Sequence, residues 1–354
     1  MRRWRARRRC GITASARKGK SMPYDPFMVE GGYLRDILAQ PRALADTVAG
    51  LSGAPALASE RCERVVLTGM GASYHALHPL YIQLVERGVQ ATMVETAELI
   101  HYLPALLCPG TLVIAVSQSG RSVEIVRLME IAAGKVRTIG VTNTPDSPLA
   151  TRADVTVLTH AGTEASVSCK TYVTMLAALA WLGGAGDVLG QAAPAAQDYL
   201  EAWDRKVRAL IELLEGTRTV FVIGRGTSVA AAGTGGLILK ESAHVAAEGM
   251  TCSAFRHGPF ELSGPGTVVL VFRGDERTAA LNASLAADIR KAGGRAFVIG
   301  PDAELEVFRI AAVPAAVRPV LEILPVQLVS LALAALNGHQ PGNFRLLTKV
   351  TTIE

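Results

Sequence analysis

Residues 66–73 read VLTGMGAS and residues 221–228 read FVIGRGTS, a shift of 155 that lays Gly69, Gly71 and Ser73 over Gly224, Gly226 and Ser228. Each is an apolar run closing in a glycine turn, the way a buried parallel strand ends. Working outward from both, the next strands are TLVIAV at 111–116 and TVVLVF at 267–272, followed by VRTIGV at 136–141 and RAFVI at 295–299. The first copy adds DVTVL at 154–158. Between these runs lie Ala- and Leu-rich stretches of helical character. The pattern predicts an α/β chain in which one unit, a parallel sheet flanked by helices, is built twice. The Ala-rich amphipathic stretch from 191 to 214 is predicted to join the units as a helix.

Composition agrees with two packed cores: 354 residues, 49% hydrophobic and 19% charged, too apolar for a disordered chain. Aromatics at 5% exclude a base-stacking module, and the 34 glycines follow no three-residue period. The net charge of +5 misleads, because residues 1–21 hold nine Arg and Lys and no acid. Without them the chain carries 27 basic and 31 acidic residues, a net of −4, so no nucleic-acid partner is expected. Residues 1–21 lack the apolar core of a secretory signal and read as an unstructured basic extension or a misplaced start ahead of Met22. The apolar stretches Met175–Leu182 and Val326–Leu336 are too short or too polar for a bilayer, so no membrane span is expected. Cys10, Cys62, Cys108, Cys169 and Cys252 form no C-x-x-C pair, and the seven histidines show no H-x-x-x-H or H-E-x-x-H spacing. A reducing cytosolic location and the absence of a metal site follow as expectations.

In an open parallel sheet, ligands bind beyond the carboxyl ends of the strands. After TLVIAV comes Ser117-Gln118-Ser119-Gly120-Arg121-Ser122, running into a helix. Three hydroxyls, an amide and free backbone N–H groups at a helix N-terminus form an anion cradle; one serine alone would suffice to cap the helix. The matching loop of the second copy, Arg273-Gly274-Asp275-Glu276, carries acids that repel an anion. The first loop, Gly69-Met70-Gly71-Ala72-Ser73, is not a dinucleotide fingerprint, because position 74 is Tyr where the third glycine belongs. No cofactor is expected; Gly71 allows close approach of a small ligand and Ser73 adds a hydroxyl. In KESAHVAAEGMTCSAFRHGP, residues 240–259, Glu241, His244 and Glu248 are predicted on one helical face. A carboxyl in so apolar a stretch is either buried and paired or a general base with a raised pKa, and His257 beside a Gly-Pro turn favours catalysis.

These loops, with AGTEASVSCKTYVT at 161–174 and the ending PVQLVSLALAALNGHQP…KVTTIE, resemble the double sugar isomerase (SIS) domain family, as in the isomerase half of glucosamine-6-phosphate synthase and its stand-alone relatives. The resemblance runs from Pro26 to Glu354. It implies a flavodoxin-like three-layer sandwich in each of two tandem domains, 61–190 and 215–338. A helical segment at 22–60 precedes them, 191–214 links them, and 339–354 forms a C-terminal lid. It places a sugar phosphate on Ser73, Ser117, Gln118, Ser119 and Ser122. Glu241 becomes the base moving a proton between C1 and C2, His257 the ring-opening group, and Lys349 the amine at the open-chain carbonyl. It also implies a homodimer with shared active sites. The synthase's glutaminase half is expected to be missing, and with it the use of glutamine as a source of ammonia. Ile238 stands where the synthase has a Lys, Ala254 where it has a Glu, and GNFRLLTK is two residues longer than the usual link. A one-residue deletion falls near Cys169. These departures point to another substrate or reaction.

The expectation is therefore a metal-independent sugar-phosphate isomerase, or a deaminase of amino sugar 6-phosphates working through the same enediol. A cradle of neutral donors takes a sulfonated sugar equally well. From another class, a regulator that binds a sugar phosphate without turnover would have no use for Glu241, His257 and Lys349.

Overall fold

The computed structural model describes residues 29–54, 57, 62–346 and 348–350; the basic extension 1–21 and residues 351–354 of the expected lid lie outside these. The first sheet has five strands, β1 (Arg64–Gly69), β2 (Gln90–Glu95), β3 (Thr111–Val116), β4 (Arg137–Thr142) and β5 (Val155–Leu158), in the order β2-β1-β3-β4-β5. The second has four, β6 (Thr219–Gly224), β7 (Ala246–Thr251), β8 (Thr267–Phe272) and β9 (Arg295–Ile299), in the order β7-β6-β8-β9. All pairings are parallel. The repeat is thus real: β1 and β6 are both interior strands lying between an edge strand and β3 or β8, each followed by a glycine turn and a helix. β3 and β8 are buried at every position, because helices cover both faces of each sheet.

Two edge strands escape the hydrophobic pattern. QATMVE (β2) and AAEGMT (β7) pair on one side only and bury just one residue each, Val94 and Ala247. β7 corrects the helical reading of 240–259. The helix Val229–Ala243 stops at His244, whose φ of 49° is left-handed, and Glu248 then falls on a strand. Glu248 does not share a helical face with Glu241. It makes a partly exposed ion pair with Lys240 at 3.8 Å.

The linker is likewise two helices, Ala192–Leu200 and Trp203–Leu214, because the backbone turns out of helical geometry at Ala202 (φ −105°, ψ 35°). The last helix, Arg318–Leu336, is 19 residues long with a mean hydropathy of 1.9. It is long and apolar enough to cross a membrane, yet 89% of that window is buried against the rest of the chain. It packs on Val229–Ala243 and Trp203–Leu214. Two of its polar groups are matched: Gln327 and Gln40 exchange two amide hydrogen bonds, at 2.7 and 3.0 Å, and Ser330 meets the Tyr33 hydroxyl at 3.1 Å. These bonds tie the amino-terminal helices Gly32–Leu38 and Gln40–Gly50 to the second domain.

The domains meet where the helix Gly71–Ala76, after β1, lies against Val229–Ala243. Gly233 makes this approach possible: a Cβ there would overlap the His75 ring. Burial in the seam lowers the His75 pKa to about 4, so the ring is neutral at physiological pH.

Candidate active site

Both domains and the C-terminal segment line one cavity of about 640 Å³. Its floor comes from the turn after β1. Gly71 holds φ +53° at the start of its helix, a left-handed conformation that strains any residue with a Cβ, and Leu237 of the second domain sits 3.5 Å from where that atom would be. Ser73 is buried, its hydroxyl making only a 3.5 Å contact with Met175 Sδ.

The loop after β3 folds back on itself. Ser117 Oγ accepts the Gly120 N–H at 3.1 Å and Ser119 Oγ accepts the Arg121 N–H at 3.2 Å. The Gln118 carbonyl accepts the Asn143 N–H at 3.1 Å, which anchors the loop on the end of β4. Ser117 and Ser119 therefore shape the cradle, while Gln118 and Ser122 line the cavity. Ser122 occupies the N-cap of the helix Val123–Ala132 with extended dihedrals (φ −61°, ψ 150°), but its hydroxyl makes no capping bond. Ser122 therefore does not cap this helix through its side chain. Arg121 points elsewhere, paired with Asp146 at 2.9 Å.

Glu241 enters from the opposite wall, in the last turn of Val229–Ala243. Burial pushes its carboxyl up to about 7, against the opposing pull of Lys349 and Lys240; the nearby Glu164 pushes the same way as burial. Such a group exchanges protons near neutrality, as a general base requires. Lys349 lines the same cavity, its Nζ 2.6 Å from Glu164 Oε2 and bonded to the Ser166 carbonyl. The segment carrying it is pinned beforehand: the Gly342 N–H donates to the Ser242 carbonyl at 3.2 Å, and His244 Nε2 meets the Asn343 carbonyl oxygen at 3.2 Å. His244 also stacks on His339 at 4.5 Å.

His257 stands apart. It sits on the exposed turn after the short helix Cys252–Arg256 and does not line the cavity. Among the described residues, no His, Cys, Asp and Glu side chains gather in a group of three that could hold a metal ion.

Two groups lining the cavity, and a third buried behind it, went unassigned in the sequence. Glu124, in the first turn after the cradle, is buried and its Oε2 has no hydrogen-bond partner. Leu237 sits where a helix turn separates it from Glu241. Glu164 lies inside the AGTEASVSCKTYVT segment; its role was hidden because its partner, Lys349, is 185 residues away.

The SIS domain profile matches residues 58–183 and 213–336, one match for each sheet. Glutamine–fructose-6-phosphate aminotransferase (isomerizing) of Pyrococcus horikoshii is 34% identical over 352 residues, covering 92% of this chain and 59% of the relative. The enzyme of the same name from Thermococcus kodakarensis is 30% identical over 353 residues, covering 91% and 58%. The chain thus spans about three-fifths of the length of these relatives. Among solved structures, the C-terminal domain of glucosamine-fructose-6-phosphate aminotransferase from Francisella tularensis superposes with a TM-score of 0.79 at 20% identity, covering 90% of this chain and 99% of that one. Glucosamine-6-phosphate deaminase of Thermotoga maritima gives 0.73 at 17% identity, covering 91% and 100%. Tagatose-6-phosphate ketose/aldose isomerase of Escherichia coli gives 0.71 at 19% identity, covering 90% and 97%. With two matched domains, each a parallel sheet between helices, this chain belongs to the SIS domain family.

Proposed function

We propose that the chain is an enzyme that opens a phosphorylated sugar and moves a proton between C1 and C2, either interconverting aldose and ketose or deaminating an amino sugar 6-phosphate. The observation that carries this reading is the cavity in which hydroxyl and amide groups of Ser73, Gln118 and Ser122 face the Glu241 carboxyl, whose pKa burial pushes up to about 7. The relatives named as isomerising aminotransferases, a deaminase and a ketose/aldose isomerase support the same chemistry.

In this reading Gln118 and Ser122 hold the phosphate, with Ser73 beside them and Ser117 and Ser119 fixing the loop. The helix Val123–Ala132 adds its amino-terminal N–H groups and dipole to the anion's stabilisation. Glu241 removes a proton from one carbon and returns it to the other, and Lys349 faces the carbonyl. His257 acts on the ring oxygen of a site completed by a second copy of the chain, which accounts for its distance from Glu241 and makes the working unit a homodimer. These proton transfers call for no cofactor.

Glu124 favours a second reading within the same fold. A buried carboxyl with a free oxygen beside the cradle repels a phosphate dianion more than a sulfonate monoanion. A sulfonated sugar fits that balance. The test is a panel of hexose and hexosamine 6-phosphates and sulfonated hexoses in heavy water, with loss of the C2 proton followed by NMR. Exchange on one compound supports the enzyme, and its head group separates the two readings. Binding without exchange across the panel would make the protein a sugar-phosphate-binding regulator.

A further inference from the structure

The second sheet has a crevice of its own. β7 lies on one side of β6 and β8 on the other, so the carboxyl ends of β6 and β8 bound the place where an open parallel sheet takes a ligand. A cavity of about 370 Å³ lies there, lined by the loop after β8, the turn after β9 and the first turns of the helix Arg318–Leu336. Two of its side chains lack the partners that their chemistry calls for. Glu322 is buried; its Oε1 accepts the Ser228 hydroxyl at 2.7 Å, and its Oε2 has no hydrogen-bond partner. Arg318, one helical turn earlier and half-buried, enters no hydrogen bond or ion pair among the described residues and acts on Glu322 only through its field. The other arginines of the crevice are engaged, Arg273 with Glu276 and Asp302, and Arg277 with Asp275 at 2.8 Å and Glu86 at 2.7 Å. A glutamine at position 322 would hold Ser228 equally well without burying an acid, so packing alone does not account for the carboxyl.

A second cavity, of about 190 Å³, shares Asp275, Arg277 and Arg318 with the first. It extends into the seam between the domains, where Leu80, Leu176 and Leu179 give it an apolar wall. Together the two cavities offer a carboxyl oxygen, a guanidinium and an apolar slot. Side chains four apart on a helix lie about 6 Å apart, a span that an ammonium and a carboxylate borne on one carbon can bridge. The guanidinium fork matches a carboxylate, and the carboxyl oxygen accepts from an ammonium. Asp275, Glu276 and Glu322 oppose a phosphate dianion in the same place.

We propose that this crevice binds a small α-amino acid with an aliphatic side chain, its carboxylate on Arg318, its ammonium on Glu322 Oε2 and its side chain in the seam against Leu80, Leu176 and Leu179. The site is separate from the sugar-phosphate cavity and holds whatever that cavity turns over. Its ligand touches both domains, beside the Arg277–Glu86 ion pair that joins them.

Calorimetric titration of the whole chain tests this with L-leucine, L-valine and L-methionine at about pH 8, where Glu322 is mostly ionised. At least one should bind with a Kd below about 1 mM. Three analogues of leucine separate the contacts: isocaproate lacks the amine, isoamylamine the acid, and glycine the side chain. Each should bind at least about tenfold more weakly, the worth of one charge-assisted hydrogen bond or of a buried isobutyl group. Glu322→Gln and Arg318→Met should each weaken the amino acid's binding by the same factor, with urea denaturation showing that the variants are folded. Absence of binding by all three amino acids up to about 10 mM overturns the proposal. So does affinity that isocaproate or isoamylamine equals, or that survives both substitutions. Should Arg318→Met fail to fold, Glu322→Gln and the analogues on the wild-type chain still decide.

Discussion

The Ser228 hydroxyl donates to Glu322 Oε1 at 2.7 Å, while Ser73, its counterpart in the first domain, makes only a 3.5 Å sulfur contact. That difference separates two copies of one fold. In the second domain the equivalent hydroxyl is already engaged, and Arg273 beyond β8 is tied to Glu276 at 2.7 Å and Asp302 at 3.1 Å. In the first domain Ser117 and Ser119 of the matching loop accept only backbone N–H groups of their own loop.

Glu322 itself yields a stability prediction. It is 1% exposed, and burial raises its pKa to about 7. The folded state then binds more protons than the unfolded chain between the ordinary carboxyl value of 4.5 and about 7, so this group's contribution to stability falls as pH rises through that window. Glu322→Gln keeps the acceptor for Ser228 and cannot ionise. It should match wild type near pH 4.5 and exceed it above pH 7 by on the order of 2 kcal/mol in urea denaturation. A difference that is flat in pH would show that the carboxyl does not titrate this way.

Gln118→Ala combined with Ser122→Ala should weaken sugar-phosphate binding by about 2 kcal/mol, roughly 1 per neutral hydrogen bond lost. Arg273→Ala and Asp275→Ala should change it by less than about 0.5 kcal/mol, as for substitutions remote from a site. Calorimetric titration measures both. Equal losses in the two loops would mean that the second domain also binds the ligand.

Glu241→Gln should bind ligand nearly as wild type and exchange the C2 proton at least about 100-fold more slowly, the usual worth of a placed base. Because only the carboxylate accepts a proton, wild-type kcat/KM should rise with pH through about 7. A profile level from pH 5.5 to 8.5 would remove Glu241 from this role.

Deleting residues 348–354 should abolish exchange and shift Tm by only a few degrees, since the polypeptide before them is held independently by Ser242 and His244. Full activity in the truncated chain would dismiss Lys349 and the lid together.

The central strands were legible because a strand covered on both faces is apolar throughout: TLVIAV and TVVLVF begin and end as read. The edge strands β5 and β9 were legible too, but QATMVE and AAEGMT were not, since they keep Gln90, Glu95 and Glu248 in contact with water and show no apolar run. The cradle was legible as a group because its residues are adjacent in the chain. Glu164 was not, for its meaning depends on a contact that only folding creates. The break at Ala202 left no glycine or proline to announce it.

The seam between Gly71–Ala76 and Val229–Ala243 has one more effect. The cradle hangs from one of these helices' domains and Glu241 from the other, and Gly233 seats the two against the His75 ring with no room to slide. The separation of the Gln118–Ser122 loop from Glu241 is thereby a property of interior packing, not of any loop. If the cavity works as proposed, the protein carries a ruler: a ligand would be accepted by the length of carbon chain between its charged end and its reacting carbons, and a methyl group added at Gly233 would change the graduation without touching the ligand.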